Sequence, residues 1–306
     1  MFSIWGFLVW VGAIKIVYFL LKESYFRIWR KINIDDYKYG WVVITGASDG
    51  IGKSLAWRFA EQGFKVILIG RNPEKLKVVS EEIIKRTGNL DVRYIVSDFK
   101  NSQDDQEIFY RELIEKLKVF NVSILINNVG VARFSFLSNQ EMTEIEEMIN
   151  TNIYPQTLIS YYLIPIFAKR YKELRTKSLV INFSSLIEEY IVPGAAVYSA
   201  TKQYNHFLSE ALSYEYKDFI DFVTVKPGTV ATNLLKDVDL QDLPLIVVNV
   251  DEFTTNLLKN LHAGINYGHW KHAIISYTLG FVPYQLVTAL LQLFMPLIIK
   301  LRLIKQ

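Results

Sequence analysis

The chain has 306 residues, of which 51% are hydrophobic, and its 34 basic and 31 acidic residues give a formal net charge of +3. This near balance, without a long basic tract, argues against nucleic acid as a partner, and the absence of cysteine excludes disulfides, a thiol nucleophile and cysteine-bound metals. The length suits one α/β core domain, and the concentration of apolar residues at the two ends indicates membrane attachment.

The first predicted element is an apolar helix over residues 2–21, in which Lys15 is the one charged residue. About 20 such residues span a bilayer as a helix. No basic residue precedes the segment and no small-residue cleavage pattern follows it, which favours a membrane anchor over a secretory signal peptide. Basic residues follow within residues 22–31, so the positive-inside tendency would leave the remaining chain on the cytosolic or matrix-like side. Mitochondrial targeting stays open.

Residues 38–276 alternate between short apolar segments rich in β-branched residues and helical segments. This alternation is typical of a parallel sheet covered by helices on both faces. It predicts an α/β fold with one doubly wound, seven-stranded parallel sheet. The predicted strands are Trp41 to Thr45, Lys65 to Ile69, Val92 to Ser97, Val122 to Ile126, Leu179 to Phe183, Phe222 to Lys226 and Ala273 to Ser276.

A glycine-rich turn, TGASDGIG at residues 45–52, connects the first predicted strand to a predicted helix. Its glycines let the backbone turn tightly and let a pyrophosphate approach the amides at the helix N-terminus, where the helix dipole favours negative charge. The position between a strand and a helix makes the motif more specific than the glycines alone. The candidate cofactor contacts in this turn are Gly46, Ser48, Asp49, Gly50, Ile51 and Gly52.

The end of the second predicted strand indicates which dinucleotide binds. An acidic residue there would accept a hydrogen bond from the ribose 2′-hydroxyl of NAD, but the sequence has Gly70 followed by Arg71. This pair suits a 2′-phosphate and predicts NADP, with a solvated surface arginine as the alternative. Further candidates, after the third and fourth strands, are Asp98, Asn127, Asn128 and Gly130. Asparagines that cap helices would give the same pattern.

Ser185, Tyr198 and Lys202 are the catalytic candidates. Tyr198 and Lys202 lie one helical turn apart, so the cation is expected to lower the pKa of the phenol. A fixed hydroxyl beside both can hold a carbonyl oxygen while the phenol donates its proton, which indicates carbonyl reduction. No metal site is predicted, because the four histidines do not form a persuasive ligand set. These histidines are His206, His262, His269 and His272.

The residues after the sixth predicted strand lie at the carboxyl edge of the sheet, where doubly wound folds bind their ligand. They are Pro227, Gly228, Thr229 and Thr232, and a plain turn is the alternative interpretation. The last segment, residues 277–306, is again apolar from Phe281 to Ile299, but two prolines and two glutamines interrupt that stretch. A hairpin in the membrane surface, a lid over a lipid-like substrate or a docking face for another subunit is therefore favoured over a second span.

The chain thus divides into three parts. Residues 1–31 are a predicted N-terminal membrane anchor with its basic flank. Residues 38–276 are a predicted NADP-binding domain, and residues 277–306 are a predicted membrane-associated apolar tail.

These motifs together resemble the short-chain dehydrogenase/reductase family. The glycine-rich turn, NNVG at 127–130, Asn152, Ser185, the Tyr198 and Lys202 pair, and Pro227-Gly228 occur in the family's order over residues 41 to about 235. GASDGIGKS at 46–54, YSATK at 198–202 and the apolar ends are, more narrowly, similar to the membrane-bound very-long-chain 3-oxoacyl-CoA reductases, also called 17-beta-hydroxysteroid dehydrogenase type 12. The resemblance implies a Rossmann fold with NADP as cofactor.

The resemblance also implies an activity: NADPH-dependent reduction of a lipid ketone at a membrane, either a long-chain 3-oxoacyl-CoA or a 17-ketosteroid. It implies that Tyr198 is the general acid, that Lys202 lowers the pKa of Tyr198 and holds the nicotinamide ribose, and that Ser185 orients the substrate carbonyl. Asn152 would hold a relay water, and the segment from Pro227 would contact the nicotinamide amide. A homodimer is implied by analogy alone.

Two departures from the subfamily bear on location and substrate. The resemblance favours the endoplasmic reticulum, but the chain ends LRLIKQ, without the di-lysine type retrieval signal of the animal relatives, which keeps a mitochondrial membrane as the alternative. The loop LIEEY at 186–190 stands where relatives often carry small residues, which predicts a bulkier and more acidic substrate entrance. The alternative function is an accessory subunit of a membrane complex, for example a mitochondrial one, that keeps a reductase fold and a bound NADPH.

Overall fold

A seven-stranded parallel sheet forms the centre of this computed structural model, which describes residues 4–101, 105–235 and 246–303. Its strands are β1 (Trp41–Thr45), β2 (Lys65–Gly70), β3 (Val92–Val96), β4 (Val122–Asn127), β5 (Ser178–Phe183), β6 (Ile220–Val225) and β7 (Gly264–Asn266). The helices are α1 (Ile4–Trp29), α2 (Gly50–Glu61), α3 (Pro73–Thr87), α4 (Gln106–Lys118), α5 (Met142–Asn152), α6 (Tyr154–Leu174), α7 (Ala196–Glu215), α8 (Val250–Lys259), α9 (Trp270–Phe281) and α10 (Tyr284–Leu303).

The strand order is β3-β2-β1-β4-β5-β6-β7, so the direction in which strands are added reverses between β1 and β4. Every pairing is parallel, which brings the carboxyl ends of all strands to one edge. A crevice at such a reversal point is where open α/β sheets bind ligands. The predicted doubly wound, seven-stranded sheet is confirmed.

The apolar strand segments are continuous because both faces of the sheet are covered. In β1, Val42 and Ile44 join an apolar cluster on one face with α2, α3 and α8, whereas Val43 joins a cluster on the other face with α4 and α6. All six residues of β4 are buried. Burial on two faces favours unbroken apolar segments over polar alternation, which explains why these strands could be predicted.

The seventh predicted strand is wrong in position. Residues Ala273 to Ser276 lie inside α9, which starts where the His269 side chain accepts a hydrogen bond from the backbone N–H of Lys271. The strand that completes the sheet is the three-residue β7, which pairs with β6. A short apolar segment with two isoleucines fits either a strand or a buried helical turn, so its periodicity did not distinguish the two.

The two apolar ends of the chain lie close together. Lys15 Nζ of α1 lies 5.6 Å from the ring centroid of Phe281 in α9, and Ile32 N–H donates to the Leu261 carbonyl. Residues 1–3 of the predicted anchor and 304–306 of the predicted tail lie outside the described residues. In the described part of the chain, no single helix is long and apolar enough to cross a bilayer; α9 and residues 284–293 reach that length only as a pair, bent by 108°.

Candidate active site

A cleft of about 790 Å³ opens at the carboxyl edge of the sheet, beside the reversal point between β1 and β4. Its volume is in the range of small-molecule and cofactor sites. Most of the cofactor contacts predicted above line it: Gly46, Ser48, Asp49, Gly50, Ile51, Arg71, Asp98, Asn128, Gly130, Tyr198, Lys202, Pro227 and Thr232. One cavity therefore collects residues that are separated by up to 186 positions in the chain.

The glycine-rich turn brings the start of α2 to this cleft. Gly46 has a φ of +67°, which L side chains rarely adopt, and a Cβ on Gly52 would lie 2.3 Å from the Gly46 carbonyl oxygen. Asp49 caps α2 by accepting a hydrogen bond from Gly50 N–H at 2.7 Å. Asn128 fixes the turn from β4, because its Nδ2 donates to the Thr45 carbonyl at 2.9 Å. The positive end of the α2 dipole therefore faces the cleft.

The cleft is basic at the end that lies beside β2. Arg71, whose side chain is largely exposed, lies 3.4 Å from the buried Glu147 carboxylate of α5. The same carboxylate lies 3.3 Å from Arg133 and 3.8 Å from Lys100. One buried anion thus gathers Arg71 and Arg133 of the cleft lining together with Lys100, while Glu144 lies 3.3 Å from Arg133. These three cations and two anions keep one net positive charge, which suits a phosphate.

Lys75 and Arg133 also line the cleft, and sequence reasoning missed both. A signal for Lys75 was available, because it follows Arg71 by four residues and its backbone N–H is capped by Asn72 at the start of α3. Arg133 had no comparable signal, since only the packing of α5 brings Glu147 toward it.

Four predicted cofactor residues do not line the cleft, namely Gly52, Asn127, Gly228 and Thr229. Asn127 is buried, and its Nδ2 donates to Asn182 Oδ1 on β5 at 2.8 Å, so this amide holds the sheet interior instead of facing the cleft. Gly228 packs against the His272 ring, where an added Cβ would approach Cδ2 to 2.7 Å. The Thr229 carbonyl lies 3.3 Å from His272 Nε2, behind the cleft wall.

Tyr198 and Lys202 lie on the buried face of α7. That face repeats at helical spacing through Tyr198, Thr201, Lys202, Asn205 and Ser209, and packs on β5 and β6. Lys202 Nζ lies 5.9 Å from the Tyr198 ring centroid and donates to the Phe183 carbonyl at 3.2 Å. Ser185 is the second residue after β5 and caps the short 3-10 turn Leu186–Glu189, and its side chain is hydrogen-bonded to that of Tyr198.

Burial has the largest effect on the pKa values of Tyr198 and Lys202. It raises the pKa of Tyr198 to about 12, against the lowering effect of a hydrogen bond with Ser185. It also lowers the pKa of Lys202 to about 8, against the raising effect of the Glu188 charge. The expectation that Lys202 would bring the pKa of Tyr198 below its ordinary value is therefore wrong here, because desolvation of the phenolate outweighs its neighbours. The phenol is neutral at pH 7 and can donate a proton.

Asn152 lies at the end of α5, almost fully buried, and joins the segment after β4 to α7. Its Oδ1 accepts from Val131 N–H at 2.8 Å, and its Nδ2 donates to the Val131 carbonyl and to Thr201 Oγ1, both at 2.9 Å. Thr201 Oγ1 in turn donates to the Tyr198 carbonyl at 2.7 Å. The Asn152 amide therefore joins the Val131 backbone to the Tyr198 backbone through Thr201. That Asn152 holds a relay water stays a prediction.

The loop at 186–190 does not make the entrance acidic through Glu188. The Glu188 side chain is 1% exposed and its Oε1 lies 2.7 Å from Lys226 Nζ and 2.8 Å from His206 Nδ1. Glu189 is also turned inward, with its Oε2 accepting from Ser276 Oγ of α9 at 2.8 Å. Ile187 packs near Tyr198 instead, together with Val131, Phe134 and Val197, so the surroundings of the phenol are apolar.

Comparisons with known proteins agree with this geometry. A sequence profile described as short chain dehydrogenase matches residues 40–242. Very-long-chain 3-oxoacyl-CoA reductase from Rattus norvegicus is 36% identical over 245 residues, which cover 76% of this chain and 75% of that protein. The Homo sapiens protein of the same name is 36% identical over 244 residues, with the same two coverages. Mus musculus 17-beta-hydroxysteroid dehydrogenase type 3 is 32% identical over 247 residues, covering 79% and 76%.

Among solved structures, a short-chain dehydrogenase from Sphingobium yanoikuyae in complex with NADPH superposes with a TM-score of 0.66 at 26% sequence identity. The match covers 79% of this chain and 92% of that one.

Proposed function

The chain belongs to the short-chain dehydrogenase/reductase family, and we propose that it is an NADPH-dependent ketoreductase acting on a long-chain lipid ketone at a membrane. The preferred reaction converts a 3-oxoacyl-CoA to the 3-hydroxyacyl-CoA, and reduction of a 17-ketosteroid is second. The observation that carries the proposal is the meeting of a neutral buried phenol and a buried ammonium in the lining of one cleft, with the Ser185 side chain hydrogen-bonded to that phenol from just outside the lining.

The residues of the cleft fit an NADPH molecule. The glycine-rich turn and the start of α2 would hold the pyrophosphate. Arg71, Lys75 and Arg133 would hold the 2′-phosphate, since guanidinium groups and ammonium groups pair with phosphate by charge-assisted hydrogen bonds. The bound cofactor would supply a hydride to the carbonyl carbon.

The chain's own residues would handle the proton and the developing negative charge. Tyr198, which is protonated at pH 7, would donate its proton to the carbonyl oxygen while the Ser185 hydroxyl holds that oxygen. Lys202, with a pKa of about 8, is mainly protonated at pH 7, and its ammonium would stabilise the phenolate that forms. Asn152 would keep the backbone on both sides of Tyr198 in place through Val131 and Thr201.

Two features support an apolar substrate at a membrane. Val131, Phe134, Ile187 and Val197 surround the phenol, so the substituents of the ketone would meet aliphatic and aromatic carbon. Large apolar side chains of the terminal helices are more than half exposed, and insertion into a lipid membrane would cover them. These are Trp10, Ile16, Val17, Tyr18 and Leu21 of α1, and Trp270, Ile274, Leu286 and Leu293 of α9 and α10. We favour the endoplasmic reticulum membrane, with a mitochondrial membrane as the alternative.

The test is NADPH oxidation by the purified protein in detergent or lipid, followed at 340 nm with a long-chain 3-oxoacyl-CoA and, separately, a 17-ketosteroid. We expect turnover with the first substrate, and Tyr198→Phe, which keeps the ring but removes the proton donor, should abolish it without loss of NADPH binding. Turnover that survives Tyr198→Phe would refute the role of the phenol. Failure of both ketones to oxidise NADPH would refute the ketoreductase proposal.

The exposed apolar helices also fit the second candidate function, an accessory subunit of a membrane complex, because a partner protein could cover them. That function predicts a protein that binds NADPH, turns over neither ketone and purifies in a fixed ratio with a larger assembly. A free, active homodimer would exclude it.

A further inference from the structure

A buried cluster of charged side chains lies under the loop that follows Ser185. Glu188 is its centre, with a side chain that is 1% exposed, and Lys226 is 5% exposed. Their closest atoms are 2.7 Å apart, and His206 Nδ1 lies 2.8 Å from the same Glu188 oxygen. Burying charges is costly even when they are paired, and apolar residues of similar size are often as stable. The cluster therefore calls for an explanation other than stability alone.

Glu188 connects the segments that carry the proposed catalytic groups. Ser184, directly before Ser185, donates a hydrogen bond from its hydroxyl to the Glu188 carboxylate. The same hydroxyl lies 2.8 Å from the Lys202 backbone carbonyl on α7. His206 lies on α7 one turn beyond Lys202, and Lys226 is the first residue after β6, directly before Pro227 of the cleft wall.

The charges around Glu188 also bear on Lys202. The titratable and charged groups that face this cluster are Lys226, His206, Glu189 and Lys202, with Tyr267 in contact through Glu189. Although burial works against it, contacts from His206, Lys226 and Ser184 hold the pKa of Glu188 below its ordinary value. Glu188 is therefore an anion at neutral pH, and its charge opposes the deprotonation of Lys202.

We propose that Glu188 is a positioning residue for carbonyl reduction, whose buried carboxylate holds the Ser185 loop against α7 and β6 and keeps the Lys202 ammonium charged. This inference rests on the proposed ketoreductase function. Glu188 acts through Ser184, Lys226 and His206, and it does not itself line the cleft.

The test is Glu188→Gln, which keeps the shape of the side chain and removes its charge. We expect kcat to fall about tenfold and the upper limb of the kcat against pH profile to move to lower pH, because Lys202 loses the anion that opposes its deprotonation. The KM for NADPH should change less than about twofold, since the adenosine end of the cleft is remote from Glu188.

A matched control is Asp221→Asn, at the opposite end of β6. Asp221 also pairs with a lysine, at 3.1 Å from Lys177, and accepts from the Tyr37 hydroxyl at 2.8 Å, but neither Asp221 nor these two partners line the cleft. This variant should lose stability without a change in the pH profile. A purely structural role for Glu188 would make the two variants behave alike.

Three results would overturn the proposal or assign the failure elsewhere. A Glu188→Gln variant with wild-type kcat and an unchanged upper limb overturns it. If wild-type protein binds NADPH but reduces no ketone, the proposed function fails, and the inference is then judged on the pH dependence of the NADPH dissociation constant, measured by nicotinamide fluorescence. In that case, a Glu188→Gln variant whose NADPH dissociation constant depends on pH as in wild type overturns the positioning role of Glu188.

Should Glu188→Gln not fold, Glu188→Gln with Lys226→Gln removes both buried charges together. A structural role predicts that this double variant recovers wild-type activity with its stability. The positioning role predicts that the upper limb stays shifted to lower pH although the protein is stable, and a wild-type limb in the double variant would contradict it.

Discussion

Replacing Lys202 by methionine should stabilise the fold while it removes activity. Burial lowers the pKa of Lys202 from its ordinary 10.5 to about 8. That difference corresponds to about 3 kcal/mol by which the charged lysine disfavours the folded state at pH 7. The variant also loses the 3.2 Å hydrogen bond from Lys202 Nζ to the Phe183 carbonyl, which destabilises its folded state by about 1 kcal/mol. The expected net gain in the free energy of unfolding is about 2 kcal/mol at pH 7.

The stability difference between wild type and Lys202→Met should depend on pH, because the pKa of Lys202 differs between the folded and the unfolded state. Below pH 8 the lysine is charged in both states, and the folded state carries the whole desolvation cost. Between about pH 8 and 10.5 the folded lysine is neutral while the unfolded one is still charged, so wild-type stability recovers. The advantage of Lys202→Met should therefore nearly vanish at about pH 9.5, where the remaining cost is roughly 1 kcal/mol.

The assay is urea unfolding of wild type and Lys202→Met at pH 7 and at pH 9.5, with NADPH oxidation measured on the same samples. We expect kcat of the variant to fall by about 100-fold or more, as for loss of an essential charged group. A variant that is less stable than wild type at pH 7, or whose advantage is the same at both pH values, would show that Lys202 is not destabilised by burial in the folded protein.

The remaining predictions concern the cofactor end of the cleft. Arg71→Ala should raise the KM for NADPH by about tenfold or more and leave that for NADH unchanged, because one charge-assisted hydrogen bond to the 2′-phosphate is lost; an equal loss for both cofactors would contradict the role of Arg71. Gly52→Ala should lower the melting temperature and weaken NADPH binding, because its Cβ would lie 2.3 Å from the Gly46 carbonyl oxygen. Gly280→Ala in α9, with nothing within 4 Å of the added Cβ, should leave NADPH binding unchanged and keep or raise the melting temperature, because alanine is a better helix former than glycine; equal effects of the two alanines would disprove the packing argument.

The features that could be predicted from sequence are local ones. β1 was predicted at its exact bounds, because a strand buried on both faces is a continuous apolar segment between turn residues. The glycine-rich turn and the spacing of Tyr198 and Lys202 are also local, since each motif lies within one loop or one helical turn. The error at Ala273 to Ser276 is local too, because a four-residue segment with three apolar residues fits a strand and a helix equally well.

The tertiary structure decided what depends on residues that are distant in the chain. The net direction of the Tyr198 pKa depends on burial among Val131, Phe134 and Ile187, which no spacing reveals. Glu188 turns inward because β6 and α7 bring Lys226 and His206 to its carboxylate, although sequence reasoning expected an acidic entrance. Sequence alone thus determined the first six strands and their order along the chain, since backbone geometry and hydrophobic periodicity act over a few residues. Protonation and side-chain direction were left to tertiary packing, since desolvation and ion pairing depend on distances in space.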